Sequence, residues 1–158
     1  MKKLILVRHA KSDWSRGLLD FDRPLNERGR EEAPLIAIKM KEKGIVPDRI
    51  ICSPANRALT TAGLMAEQYG IPFHAVETVP SFYEGTPQEL AFAVEQTAQS
   101  VGTLLLVAHN PGISVLASLF AHREICMPTC CAVVLRMPRS WELSSAEEEG
   151  VYKPKDFK

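Results

Sequence analysis

Five short apolar runs divide the chain, and the segments between them carry the periodicity and end signals of helices. The runs cover 3–7, 49–52, 73–76, 103–108 and 132–137. Most lack apolar/polar alternation, as expected of strands covered on both faces. Strands that alternate with helices predict a mainly parallel sheet inside a three-layer α/β/α sandwich. At 158 residues, with no repeat and no linker, the chain is expected to be one domain, 1–158. Its last stretch, WELSSAEEEGVYKPKDFK (141–158), is polar and acidic. It is expected to be a surface turn and a loosely held tail.

The helix signals are specific. Ser53-Pro54 reads as an N-cap and first helical residue, with Ala58, Ala62, Met65 and Tyr69 on one face and Gly70 as the stop. Thr86-Pro87-Gln88-Glu89 is a capping box. Asn110-Pro111 repeats the cap–proline pattern ahead of Ile113, Leu116, Ala117 and Phe120. The earliest helix should run from Asn26 to about Gly44, with Ala33, Ile36, Ala37 and Met40 inward. Pro34 sits inside it and should kink or restart it.

Composition excludes several functions. Lys and Arg total 19, as do Asp and Glu, so no basic excess exists for broad nucleic-acid binding. Lys2-Lys3 resembles the charged start of a signal peptide, but the apolar run behind it ends at Arg8, too early for a secretion signal. No stretch approaches membrane-spanning length, so a cytoplasmic protein is expected. Cys52, Cys126, Cys130 and Cys131 form no C-x-x-C and are expected to be reduced and largely buried. Neither Cys nor His clusters at zinc-ligand spacing, and no metal or other cofactor is expected.

Polar residues gather where strands end. In an open parallel sheet, ligands bind beyond the carboxyl ends of the strands. The first strand ends in Arg8-His9; the second ends at Cys52-Ser53, with Arg57 about a turn into the next helix; the fourth ends in His109-Asn110. Each has an ordinary structural explanation by itself: an ion pair, a solvated helix charge, a histidine bonded to backbone. Two arginines, two histidines and helix N-termini on one rim suit a phosphoryl group. A neutral histidine among them can attack phosphorus.

These residues also carry a resemblance. LVRHAKSDW resembles the R-H-G/A signature of the histidine phosphatase superfamily, the phosphoglycerate mutase-like fold. RPLNERG resembles its R-P-L-T-x-x-G stretch, SPANRALTTA its S-P-x-x-R-A-x-Q-T-A, and VAHNPGIS its second-histidine motif V-G-H-N-P-G. The motifs occur in family order and cover most of the chain. The compact length and the RHAKSDW form resemble the SixA subgroup of phosphohistidine phosphatases. The resemblance implies that His9 is the nucleophile and becomes a phosphohistidine, while Arg8, Arg57 and His109 hold the phosphoryl oxygens. His9 would be neutral, with its other ring nitrogen bonded to a backbone carbonyl. Three positions depart from the family pattern: Ala10 for glycine, Asn26 for threonine and Thr60 for glutamine. Alanine serves at position 10 unless that position needs a positive φ.

Many family members place a carboxylate acid near mid-chain. SFYEGTPQEL offers Glu84 as the first choice, with Asp13 and Asp22 as alternatives. An alcohol leaving group needs that proton; the imidazole of phosphohistidine needs it less. The chain lacks the large insertions that cover the pocket in bigger relatives, so an open site is expected. The leading expectation is a metal-independent phosphohistidine phosphatase acting on a phosphorelay or phosphotransfer protein. The alternatives are a phosphatase for small phosphate esters and, from another class, a non-catalytic phosphate-binding signalling module. A mutase fits less well, because it must retain the phosphoryl group in an enclosed site.

Overall fold

The structure is a computed structural model that describes residues 1–158. In chain order its elements are β1 (Lys2–Arg8), α1 (Glu27–Glu42), β2 (Arg49–Cys52), α2 (Asn56–Gln68), β3 (Glu77–Thr78), α3 (Pro87–Glu95), β4 (Thr103–Ala108), α4 (Gly112–Ala121), β5 (Ala132–Met137) and β6 (Glu147–Tyr152). Six strands form one sheet in the order β3-β2-β4-β1-β5-β6. The first four strands run parallel; β5 returns antiparallel to β1, and β6 antiparallel to β5.

Alternate side chains of a strand point to opposite faces, and this divides the core in two. Leu4 and Leu6 of β1 join Leu104, Leu106, Val133 and Leu135 on the face covered by α3 and α4. Ile5 and Val7 join Leu105, Val107 and Val134 on the face covered by α1 and α2. A central strand buried on both faces needs an unbroken apolar run, which is why LILV does not alternate. The three-layer α/β/α sandwich inferred from the sequence is the architecture found.

Helix α1 is capped by Asn26, whose side chain accepts from the Gly29 N–H, and α3 carries the complete Thr86–Glu89 capping box. Pro34 lies inside α1 without restarting it. Proline removes the bond to the carbonyl of Arg30, an exposed residue whose carbonyl water can serve.

Two sequence expectations need correction. The run 73–76 is no strand: Phe73–Ala75 forms a 3-10 turn, and the two-residue β3 follows it. Pro72 precedes the turn, and the Phe73 ring leans on α2 at Gly63 instead of joining the sheet. The segment 141–158 is not a loose tail. Trp141, Leu143 and Ala146 are buried, and β6 closes one sheet edge. Its acidic run is matched by basic neighbours: Glu147 meets Arg136 at 3.0 Å, Glu148 meets Arg123 at 2.7 Å and Glu149 meets Lys3 at 3.1 Å. Charged edge strands avoid pairing with other sheets, and a polar edge strand reads as a tail when only hydrophobicity is followed. Beyond it, Phe157 stacks on Tyr152 and Lys158 binds the buried carboxylate of Glu32. Among the cysteines, Cys52, Cys130 and Cys131 are buried while Cys126 is exposed. No helix is long and apolar enough to cross a membrane.

Candidate active site

The parallel register builds the site. Val7 lies opposite Val107, and Arg8 opposite Ala108. One step further, the His9 N–H donates to the Ala108 carbonyl at 3.1 Å. His9 therefore arrives beside His109, with ring centroids 5.2 Å apart. On the other side of β4, Cys52 faces Val107 and the Ser53 N–H donates to the Val107 carbonyl at 3.0 Å. The first turn of α2 then brings in Arg57. All four sequence-predicted residues, Arg8, His9, Arg57 and His109, line a single cleft of about 210 Å³, together with Lys11, Trp14, Arg23 and Asn110.

His9 is buried, and its Nδ1 lies 2.8 Å from the Ala10 carbonyl. Burial pushes the ring down to about 3, with the charges of Arg57 and Arg8 acting in the same direction. The ring is thus neutral near pH 7. A carbonyl can only accept, so Nδ1 carries the proton and Nε2 the lone pair. The backbone carbonyl expected from the sequence is that of Ala10. The next N–H, that of Ala10, donates to Thr61 Oγ1 at 2.9 Å, and the Thr61 hydroxyl donates to the Arg57 carbonyl at 2.7 Å. One buried hydroxyl thus ties the His9 backbone to the helix that carries Arg57. Ala10 is not among the residues with positive φ, so alanine replaces glycine there without strain.

His109 Nε2 lies 2.7 Å from Ser53 Oγ. That oxygen accepts from the Ala55 N–H at 3.2 Å, leaving its proton free for His109. Burial and the Arg57 charge push His109 down to about 4. With Nε2 accepting, Nδ1 carries a proton, and this buried atom has no partner in the protein. Ser53 is therefore not the expected N-cap; Ala55 holds that position and Ser53 orients His109. Asn110 departs from expectation in the same way. The N-cap of α4 is Pro111, after a cis peptide bond, and the Asn110 amide donates to the Met127 carbonyl at 3.2 Å.

The arginines are fixed from behind. Arg8 Nη1 donates to the Met127 carbonyl at 3.0 Å. Arg57 Nη1 donates to the Asp20 carbonyl at 2.7 Å, and Nη2 to Asp20 Oδ2 at 3.1 Å. Arg23 donates to Ser12 Oγ and, at 2.9 Å, to Asp20 Oδ1. The Trp14 ring covers the Arg23 guanidinium at 3.6 Å. The Nε atoms of Arg8, Arg23 and Arg57 are buried donors without protein partners. Asp20 also accepts from the Tyr83 hydroxyl at 2.7 Å. Hydrogen bonds from Arg23, Tyr83 and Arg57 hold its carboxyl well below the usual range, so it stays ionised. The same bond to Asp20 raises the Tyr83 phenol.

The three acid candidates fare differently. Asp13 accepts from Ser15, lies 3.6 Å from Arg16 and is not part of the cleft wall. Asp22 is exposed and also outside that wall. Glu84 is exposed, with φ +56, and lines a neighbouring cleft that shares His109 and Asn110 with the first.

Sequence reasoning missed Asp20, Arg23, Thr61 and Tyr83. Arg23 opens the RPLNERG motif and could have been found by asking what an arginine does there. Asp20 gave no signal, because nothing in sequence distinguishes it from any loop acid. Two motif glycines gain a reason. A Cβ on Gly29 would meet the Lys11 carbonyl at 2.2 Å, and one on Gly112 the Gly85 carbonyl at 2.3 Å. Both helix starts press directly on loops that border the site. No group of three His, Cys, Asp or Glu side chains gathers at metal-binding distance.

Comparison with known proteins identifies the family and the fold. The sequence model of the histidine phosphatase superfamily (branch 1) matches residues 4–93. An uncharacterized chloroplastic protein of Arabidopsis thaliana is 32% identical over 151 residues, covering 89% of this chain and 69% of that one. A structure from Agrobacterium tumefaciens, of a protein proposed to be the phosphohistidine phosphatase SixA, superposes with a TM-score of 0.81 at 26% identity, covering 97% of this chain and 98% of that one. The protein histidine phosphatase SixA complexed with tungstate shares the fold with a TM-score of 0.86 at 19% identity over 99% of both chains. The chain belongs to the histidine phosphatase superfamily, branch 1, and is a phosphatase of SixA-type architecture.

Proposed function

We propose that this protein hydrolyses phosphohistidine through a covalent phosphohistidine on His9, and that its substrate is a phosphorelay or phosphotransfer protein. The observation that carries this is the state of the His9 ring: neutral, with Nδ1 held by the Ala10 carbonyl and Nε2 free beside three arginines. In the first step the Nε2 lone pair forms a bond to phosphorus as the P–N bond of the substrate breaks. The departing imidazole already carries a proton on its other nitrogen and leaves as neutral imidazole. Water then attacks phosphorus, the bond to His9 breaks, and phosphate leaves with the water's oxygen. His9 keeps its Nδ1 proton throughout. Because phosphorus moves from one imidazole to another, the first step is close to balanced and requires no proton donor.

Catalysis then consists of positioning and charge stabilisation. Arg8, Arg57 and Arg23 neutralise the equatorial oxygens, and His109 donates its Nδ1 proton to one of them. These cationic side chains supply the role a metal would otherwise play. Tungstate, an oxyanion of similar shape and charge, is bound in the SixA structure named above, which fits an oxyanion cleft here.

A second activity, on small phosphate esters, has its own support in Glu84. That carboxyl is exposed and borders a cleft that shares His109 and Asn110 with the phosphoryl cleft. Glu84 is the acid available to an alcohol leaving group.

The test is a side-by-side comparison of purified protein on phosphohistidine proteins and on a panel of small phosphate esters. The expected kcat/KM is higher on phosphohistidine, whose imidazole leaves with its own proton, than on esters, whose alcohol must draw one from Glu84. Rapid ester cleavage with no phosphohistidine turnover would overturn the assignment.

A further inference from the structure

The loop between β1 and α1 does more than connect them. Trp14 is 72% exposed, Leu18 49%, Leu19 77% and Phe21 40%. Four large apolar side chains thus face solvent within the stretch 14–21, beside a cleft built of charge. Scattered exposed apolar residues are ordinary, but a run of them at the mouth of a site marks a contact surface.

Their placement brackets the cleft. Trp14 lines it and lies over Arg23. At the far end of the loop, Phe21 meets Tyr83 edge-on at 5.1 Å, and Tyr83 meets His109 at 5.9 Å. In the chain, exposed Leu18 and Leu19 fall between these two anchored ends, after the turn at Gly17, whose φ is +64. The loop is also fixed in place. The Asp13 N–H donates to the Pro24 carbonyl at 2.8 Å, Ser12 bridges to Leu25, and Asp20 is held by Arg23, Arg57 and Tyr83. A partner meeting a surface already ordered loses little additional entropy.

We infer that this loop is an apolar collar that docks the polypeptide flanking a phosphorylated histidine and favours partners with apolar side chains beside it. A cleft of about 210 Å³ has room for a phosphoryl group and its imidazole ring but not for the flanking polypeptide, which must lie outside it, against the rim that the collar forms. A small phosphorylated metabolite, polar throughout, would gain nothing from Leu18 and Leu19. The inference rests on the phosphohistidine activity proposed above and adds what selects the partner.

Two synthetic peptides of equal length test it, each with one histidine phosphorylated by phosphoramidate, flanked by leucines in one and serines in the other. The native protein should show kcat/KM about 10-fold higher on the leucine peptide, the scale of one or two buried apolar side chains. Leu18→Glu/Leu19→Glu should erase that preference and leave p-nitrophenyl phosphate hydrolysis unchanged. Leu19→Ser, a milder change at the most exposed position, should reduce the preference in part and guards against misfolding of the double variant. Equal rates on both peptides with native protein, or a preference that survives the double variant, would overturn the collar alone. A native dimer that the double variant dissociates, with peptide preference unchanged, would reassign the surface to a second copy of the chain. Protein that cleaves p-nitrophenyl phosphate but neither peptide would overturn the phosphohistidine activity, and the collar with it.

Discussion

The floor and the rim of the cleft are made of opposite materials. The floor consists of buried polar groups at strand ends: His9 follows β1, His109 follows β4, Ser53 follows β2, and Arg57 opens α2. Their positions are inherited from the sheet's hydrogen-bond ladder. The rim consists of exposed apolar groups on a loop, held by a few side-chain bonds through Asp20. A rigid sheet suits chemistry that fails when atoms shift by an ångström. A loop suits selection, because its residues change without disturbing the ladder. The difference separates catalysis from choice of partner within one small site, and substitutions can break that separation or sharpen it.

The largest effect short of removing the nucleophile belongs to the floor. Arg57→Ala should lower kcat by about 100- to 1,000-fold on every substrate, as loss of one charge-stabilising donor does elsewhere. The measurement is steady-state kinetics on phosphohistidine and on p-nitrophenyl phosphate; equal losses place Arg57 in the transition state. A loss confined to one substrate would move it to the rim.

Glu84→Gln divides the substrates instead. Hydrolysis of alkyl phosphate esters should fall about 100-fold, the usual contribution of a general acid. Phosphohistidine hydrolysis should change little, since its leaving group carries its own proton. Undiminished ester hydrolysis would remove Glu84 from the mechanism.

Asp20→Asn should have a smaller effect, because Asp20 acts through others. It orients Arg57, Arg23 and Tyr83 from behind, so the variant is expected to lower kcat/KM about 10-fold on every substrate, the value of one charged hydrogen bond. A loss as large as that of Arg57→Ala would mean that Asp20 does more than position the arginine. Far-UV circular dichroism at matched temperature excludes a merely structural loss.

Much of the floor was legible in the sequence because chain position determines it. Arg8-His9 and His109 end apolar runs that can only be strands, and parallel strands send such ends to one rim. What the sequence hid depends on tertiary contact. Ser53 reads as a helix cap, and only register shows that it serves His109. Asp20 is a loop acid whose partners lie 3, 37 and 63 residues away. The run 73–76 has strand composition, but Pro72 and the contact of Phe73 with α2 turn it away from the sheet. In β6 the error runs the other way. Its glutamates suggest a tail, yet each finds a basic partner at the sheet edge, and such pairs count for about 0.2–1 kcal/mol apiece.

The central claim is that phosphorus passes through His9. Brief incubation with a labelled phosphohistidine protein, an acid-free quench and peptide mapping by mass spectrometry test it directly. The expected result is a phosphoryl group on His9, labile to acid, stable to alkali and absent in His9→Ala, whose kcat falls by about 10,000-fold or more. A native protein that turns over phosphohistidine while no label reaches His9, or a His9→Ala variant that turns over at the native rate, would contradict it.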